Sequence, residues 1–209
     1  MVSISSLTQK YSGGSVLHFD DWSVERGDHW LMLGSSGSGK TTLLHILSGL
    51  LTPWQGVVKV DGQELYRLPR KELDLFRGRK IGIIFQRPHL IGSLTILENI
   101  QLAQSFAGLS ADKELAAMVL SSLSLSSHQH KYPHQLSEGQ LQRASIARAV
   151  VNRPGLIIAD EPTSSLDDKN ARTVLEILME QADQTGATLI VATHDNRISS
   201  FFSNKYVLS

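Results

Sequence analysis

Cysteine is absent from the chain. No disulfide, thiolate nucleophile or thiolate-bound metal can therefore form, a composition that suits a reducing compartment. Also missing is any apolar run near the ~18–20 residues that a membrane-spanning helix needs. The opening residues Met1-Val2-Ser3-Ile4-Ser5-Ser6 lack the basic-then-apolar pattern of a secretion leader. Charge of one sign is not in excess, because 20 basic and 20 acidic side chains cancel. Without a net field there is no general attraction to nucleic acid or anionic lipid, and no nucleic-acid partner is expected. Internal repeats and low-complexity tracts are absent as well. What remains is a water-soluble chain of 209 residues, enough for one large domain or two small ones.

Against those absences stands one dense motif. Gly34-Ser35-Ser36-Gly37-Ser38-Gly39-Lys40-Thr41, followed by Thr42, has the form of a phosphate-binding loop. Its glycines let several backbone N–H groups converge on one anion, Lys40 adds charge for the β- and γ-phosphates, and the Thr41 hydroxyl can ligate Mg²⁺. The flanks agree. His29–Leu33 reads as a strand and Thr41–Leu50 as a helix with Leu43, Ile46, Leu47 and Leu50 on its apolar side, so a triphosphate would meet a helix N-terminus. A glycine-serine linker matching by accident would not sit between a strand and a helix.

Short apolar runs alternate with helical stretches, the pattern of parallel strands joined by crossover helices. Ile81–Phe85, Leu156–Ala159 and Thr188–Thr193 are nearly continuous in aliphatic residues, as strands covered on both faces tend to be. Val57–Val60, Asp61-Gly62 and Gln63–Tyr66 read instead as a tight hairpin, placing an antiparallel element beside the parallel core. Thr95–Leu125 is helical in character, and Ser124–Gln135 reads as a polar loop. The histidines of that loop, His128, His130 and His134, suit a solvated loop better than a zinc site. Trp22, Trp30 and Trp54 read as core or hairpin packing.

Three further strand ends carry chemistry. Leu156–Ala159 runs into Asp160-Glu161, at the sheet edge where open α/β folds bind ligands. Asp160 is suited to hold Mg²⁺ and Glu161 to act as general base on an attacking water. Thr188–Thr193 leads to His194, placed to orient that water, and Ile81–Phe85 leads to Gln86, whose amide can bind both Mg²⁺ and water. Further along, Leu136-Ser137-Glu138-Gly139-Gln140 opens a helix with a capping box from Ser137 to Gln140. Gly139 in its first turn costs roughly 1 kcal/mol relative to alanine, which makes sense if a phosphate must approach the backbone.

Taken together these segments resemble the nucleotide-binding domain of the ATP-binding cassette (ABC) family over essentially the whole chain. Gly34–Thr41 matches Walker A, Gln86 the Q-loop, Leu136–Gln140 the signature and Asp160–Glu161 Walker B. Ser165-Leu166-Asp167 matches the D-loop, His194 the switch histidine and Tyr11 the aromatic that stacks on adenine. The resemblance implies an α/β P-loop NTPase of RecA-like type: a mostly parallel core, an antiparallel β subdomain and a helical subdomain at about 87–150, all in one domain of residues 1–209. It also implies an ATPase using Mg²⁺, two copies pairing head to tail, and a membrane permease partner. Ser137, Gly139 and Gln140 would act on the partner's nucleotide, and Asp167 would touch the opposing Walker A loop. Such a subunit would sit in the cytoplasm, peripheral to the inner face of the plasma membrane.

Phe85-Gln86-Arg87-Pro88 and Leu94–Ile100 look most like the lipoprotein-release, macrolide-export and cell-division ATPases. Two departures stand out. Glu138 replaces the usual signature glycine, putting a carboxylate near the partner's γ-phosphate. The sequence also runs only to Leu208-Ser209, so no regulatory domain is expected. Chromosome-maintenance and repair ATPases would need a long coiled coil between Gln86 and Leu136, where no sustained heptads occur. A translation factor would carry two cassettes, and a GTPase or small-molecule kinase would lack the signature. A binding module without turnover would not need Lys40, Asp160, Glu161 and His194 all intact.

Overall fold

The computed structural model describes residues 1–11, 14–164 and 166–208, with Asn196 described by its backbone alone. Ser165, read above as part of the D-loop, lies outside the described residues.

Two sheets form the framework. The first strands are β1 (Val2–Lys10), β2 (Val16–Phe19), β3 (Trp22–Val24) and β4 (His29–Gly34). Next come α1 (Lys40–Leu47), β5 (Gln55–Val60), β6 (Gln63–Glu64), α2 (Arg70–Lys80) and β7 (Ile81–Ile84). After these follow α3 (Ile96–Phe106), α4 (Lys113–Ser122), α5 (Glu138–Val150), β8 (Leu156–Asp160), α6 (Asp168–Thr185), β9 (Thr188–Thr193) and β10 (Asn204–Leu208). The core sheet is parallel in the order β10-β4-β9-β8-β7. The other sheet is antiparallel and joins β1, β2, β3, β5 and β6.

Alternation along the buried strands feeds two apolar cores. Ile157, Ala159, Leu189 and Val191 face one side of the core sheet, where α3, α4, α5 and α6 pack. Leu156, Ile158, Ile190 and Ala192 face the other, against α1 and the antiparallel sheet. Burial on both faces explains why these strands read as unbroken aliphatic runs.

Where the structure departs from the sequence reading, local chemistry gives the reason. The helix after the phosphate loop stops at Leu47 rather than Leu50. Gly49 takes a left-handed φ of 71° and the Leu50 N–H returns to the His45 carbonyl at 2.8 Å, leaving Leu50 exposed. The hairpin turns on Asp61 and Gly62, both at positive φ, but its second strand ends at Glu64 before a 3₁₀ turn at Leu65–Arg67. The antiparallel element is also larger than read, because it recruits β1, β2 and β3. Trp22 is buried and Trp54 is not: at 61% exposure it packs in no core, and the Lys10 ammonium lies over its ring. The polar segment Ser124–Gln135 contains two short 3₁₀ turns, Ser126–His128 and Pro133–Gln135.

Pairing of β1 with β5 depends on one glycine. Gly56 has φ 102°, and a Cβ there would stand 2.6 Å from Leu7 Cα and the Ser6 carbonyl, both backbone atoms that cannot swing away. Gly56→Ala should therefore cost about 2 kcal/mol or more, lowering the melting temperature by roughly 4–8 °C. Thermal unfolding followed by circular dichroism checks this, and an unchanged melting temperature would contradict the register described.

Candidate active site

Parallel order brings the chemistry of four strands to one sheet edge. The loop after β4 carries the phosphate motif, Gln86 lies just beyond β7, Asp160 closes β8 with Glu161 next, and His194 follows β9. A cleft of about 600 Å³ gathers Tyr11, Lys40, Thr41, Gln86, Glu161 and His194. That volume falls in the range of nucleotide and cofactor sites.

The loop is shaped by its own lysine. Lys40 is buried, and its Nζ donates to the Gly34 carbonyl at 2.7 Å and the Ser35 carbonyl at 2.9 Å. Gly37 and Gly39 take φ values of 83° and 98°, a region that side-chain-bearing residues rarely adopt. Ser36 and Thr42 also line the cleft, while the buried Ser38 Oγ packs over Gly34 without a hydrogen-bond partner. Tyr11 closes one side, its hydroxyl 2.6 Å from Thr42 Oγ1.

Glu161 is the most constrained residue of the cleft. It has φ 47°, an uncommon value for a residue with a side chain, and its N–H pairs with the Ala192 carbonyl at 2.8 Å. Its buried carboxylate accepts from the Thr193 hydroxyl at 2.7 Å and the His194 N–H at 3.1 Å, with His194 Nδ1 at 2.7 Å. The base and the histidine named from the sequence are thus held together. Gln86 sits opposite, its amide donating to Ser164 Oγ at 3.4 Å.

Asp160 offers the test for Mg²⁺. Burial pushes its carboxyl above the ordinary carboxylate value, and the neighbouring Thr41 hydroxyl opposes that shift. Oδ1 is buried with no partner. A buried carboxylate oxygen left unmatched beside a hydroxyl fits a hard, oxygen-seeking cation.

The signature residues stand elsewhere. Ser137 caps α5, accepting from the Gln140 N–H, while the Gln140 side chain accepts from the Ser137 N–H at 2.9 Å and its amide nitrogen lies 3.0 Å from His128 Nε2. Apart from its two neighbours and the adjacent backbone of its own helix, a Cβ on Gly139 would meet none of the described residues within 4 Å, so packing does not require a glycine there. Glu138 is exposed and lines a separate cleft with Gln86, Arg87 and Ser164. Asp167 caps α6, accepting from the Asn170 N–H at 2.9 Å and its side-chain amide at 2.8 Å.

Sequence reasoning missed Thr193, Ser164, Ser15 and Leu17. Thr193 closes the strand before His194 and was legible by position. Ser15 and Leu17 reach the cleft only because the antiparallel sheet folds over the phosphate loop.

Residues 17–164 match the ABC transporter domain family. The chain belongs to the ABC transporter family. Its cassette is 38% identical to the lipoprotein-releasing system ATP-binding protein LolD of Treponema denticola, covering all of this chain and 95% of that one. It is 40% identical to the bacitracin export ATP-binding protein BceA of Halalkalibacterium halodurans, over 93% of this chain and 78% of the relative. The methionine import ATP-binding protein MetN 2 of Enterococcus faecalis is 41% identical over 88% of this cassette, which spans 54% of that protein's length. Among solved structures, the dimeric ATP-binding cassette MJ0796 in a post-hydrolysis state with ADP and Pi superposes with a TM-score of 0.90 at 33% identity. It covers all of this chain and 94% of that one. The fold is that of an ABC ATPase.

Because Asp160 is raised, its charge opposes folding above the ordinary carboxylate value of 3.8, and the stability it contributes in acid is lost as pH rises through the higher native value. Asp160→Asn should therefore melt higher than wild type at pH 7–8 without ligand, with the gap closing towards pH 4. Mg·ATP at a hundredfold excess over Kd should add about 2.7 kcal/mol to wild type, and the variant should lack the Mg²⁺-dependent share. Calorimetry across pH, with and without Mg²⁺, checks both signs.

Proposed function

We propose that this chain is the ATP-hydrolysing subunit of a membrane ABC transporter complex, in which two copies close head to tail on ATP and drive an integral membrane permease. One observation carries the reading. A single cleft gathers Lys40, Thr41, Gln86, Glu161 and His194, whereas Ser137, Gly139 and Gln140 are absent from its lining. A complete site then needs the signature of a second chain.

In this reading Lys40 exchanges its two carbonyl partners for β- and γ-phosphate oxygens, and the N–H groups of residues 36–41 wrap the anion. Tyr11 lies at the cleft's side, where it would pack on the adenine. Thr41, Gln86 and Asp160 would hold Mg²⁺, which when bound neutralises charge on the β- and γ-phosphate oxygens. Glu161 takes a proton from the attacking water, and ADP leaves as the γ-phosphoryl group passes to that water. Thr193 and His194 fix the Glu161 carboxylate, and His194 also reaches the cleft to orient water and γ-phosphate.

Gly139 supports a partner's approach, since among the described residues nothing beyond its own helix backbone and chain neighbours lies within 4 Å of where its Cβ would stand. Asp167, exposed at the start of α6, would meet the opposing phosphate loop. The permease would dock on the helical subdomain of residues 87–150, where a groove lined by Leu109, Leu115 and Met118 opens between α4 and the end of α5. Phe106 and Met118 are exposed there at 70% and 66%. Among the described residues no helix is long and apolar enough to cross a membrane, in keeping with a peripheral subunit on the cytoplasmic face. Helices α3 and α4, of 11 and 10 residues, leave no room for the coiled coil of a repair ATPase.

Glu161→Gln should keep ATP affinity while lowering turnover by roughly 10²–10⁴-fold. The variant should also accumulate as an ATP-bound dimer, because contacts persist while the base is gone. Steady-state ATPase assays and sizing with ATP check this, and turnover near wild type would remove Glu161 from the base role.

A further inference from the structure

A line of polar contacts leaves the active site that the chemistry above does not use. The Thr193 hydroxyl that donates to Glu161 also accepts from the Asp195 N–H at 2.9 Å. The Asp195 side chain, only 10% exposed, accepts from the Arg197 N–H at 2.9 Å and from its guanidinium at 2.9 Å (Nε) and 2.7 Å (Nη2). The remaining guanidinium nitrogen, Nη1, crosses to Asp168, the first residue of α6 and the neighbour of its cap Asp167. One arginine thus bridges the turn that carries His194 and the helix start that carries Asp167.

We propose that Arg197 is a positioning residue: it straps the His194 turn to the D-loop, so that a second copy engaging Asp167 shifts the Glu161–His194 pair. The inference rests on the proposed head-to-tail pairing for its consequence, but the strap itself is a property of one chain. Stability alone does not account for the Asp168 arm of the arrangement. The Asp168 side chain is 86% exposed, and ion pairs in that setting contribute ~0–1 kcal/mol. Geometry does account for it, because a planar guanidinium fixes both carboxylates at set angles, whereas a lysine ammonium is a single point of charge. Asp195 is held below the ordinary carboxylate range, first by its hydrogen bond from Arg197. The Asp195 arm of the strap is therefore charged throughout the neutral range. Around it stand Arg172, whose guanidinium lies over the Phe201 ring, and Ile198, which together wall the groove beside Asp168 and Arg197.

The test uses the full chain with Arg197→Ala, Arg197→Lys, Asp168→Asn and the Arg197→Ala/Asp168→Asn double variant. In nucleotide-free protein, amide exchange at residues 193–197 should quicken about tenfold in Arg197→Ala and Asp168→Asn alike. The melting temperature should stay nearly unchanged in Asp168→Asn and fall in Arg197→Ala, which leaves the mostly buried Asp195 carboxylate without its guanidinium. Turnover should fall about tenfold in each, with nucleotide affinity within about twofold of wild type, and the double variant should be no worse than either single one. Arg197→Lys should lie between, as it can hold one carboxylate only. Wild-type exchange and wild-type turnover in Asp168→Asn, or losses that multiply in the double variant, would overturn the strap. Because Asp168 is exposed, its variant keeps the test open if Arg197→Ala fails to fold. The exchange measurement needs no nucleotide, so a wild type without ATPase activity would sink the functional reading and leave the strap to be judged on exchange.

Discussion

Parallel pairing of β4, β9, β8 and β7 forces the carboxyl ends of all four strands onto one edge of the sheet, and the phosphate loop, Gln86, Asp160, Glu161 and His194 meet because of that constraint. Strand burial on both faces supplies the stability, so the residues just past each end are free of packing duties and can be polar. The sharp departure at each end does the placing. After β4 the chain turns on glycines at positive φ, and after β8 it turns on Glu161 itself. Positive φ at a residue with a side chain stores strain of order 1–3 kcal/mol, here offset by three hydrogen bonds to one buried carboxylate.

In the nucleotide-free geometry the charged groups Lys40 and Glu161 already have partners. Lys40 occupies carbonyls that would otherwise point into the loop, and Glu161 shares its charge with His194 and Thr193. Among the described residues around the cleft, Asp160 keeps a buried carboxylate oxygen unmatched, and the Ser38 hydroxyl beside Gly34 is likewise unpartnered. A site arranged in this way meets its ligand by exchanging partners rather than by refolding, which limits the reorganisation needed for catalysis. The signature helix presents the complementary case. Its capping box closes within the chain, but Gly139 leaves an open face that no described residue outside its own stretch of helix approaches within 4 Å.

The core strands and the residues at their ends were legible because aliphatic runs followed by Gln86, Asp160-Glu161 or His194 combine a buried strand with a chemical purpose. The same holds for the phosphate loop and for the capping box at Ser137, where spacing alone names the hydrogen bonds. Long-range consequences were not legible. That Trp54 faces water, that β1 to β3 form one sheet with β5, and that Leu17 walls the cleft all depend on contacts between distant segments. The Asp195–Arg197–Asp168 bridge was hidden for the same reason, since Arg197 and Asp168 lie 29 positions apart. Leu50 misled because helical periodicity continues past Gly49, while the backbone ends the helix before it.

Composite sites make one claim that a single chain cannot imitate. Lys40→Ala removes a phosphate ligand from its own cleft, and Ser137→Ala removes a group that would act on the partner's nucleotide. In a head-to-tail pair of the two variants, one site carries both defects and the other carries neither. Mixing the two inactive proteins should therefore restore ATPase activity, to about a quarter of the wild-type rate per chain if subunits pair at random. A mixture as inactive as its components would contradict the composite site.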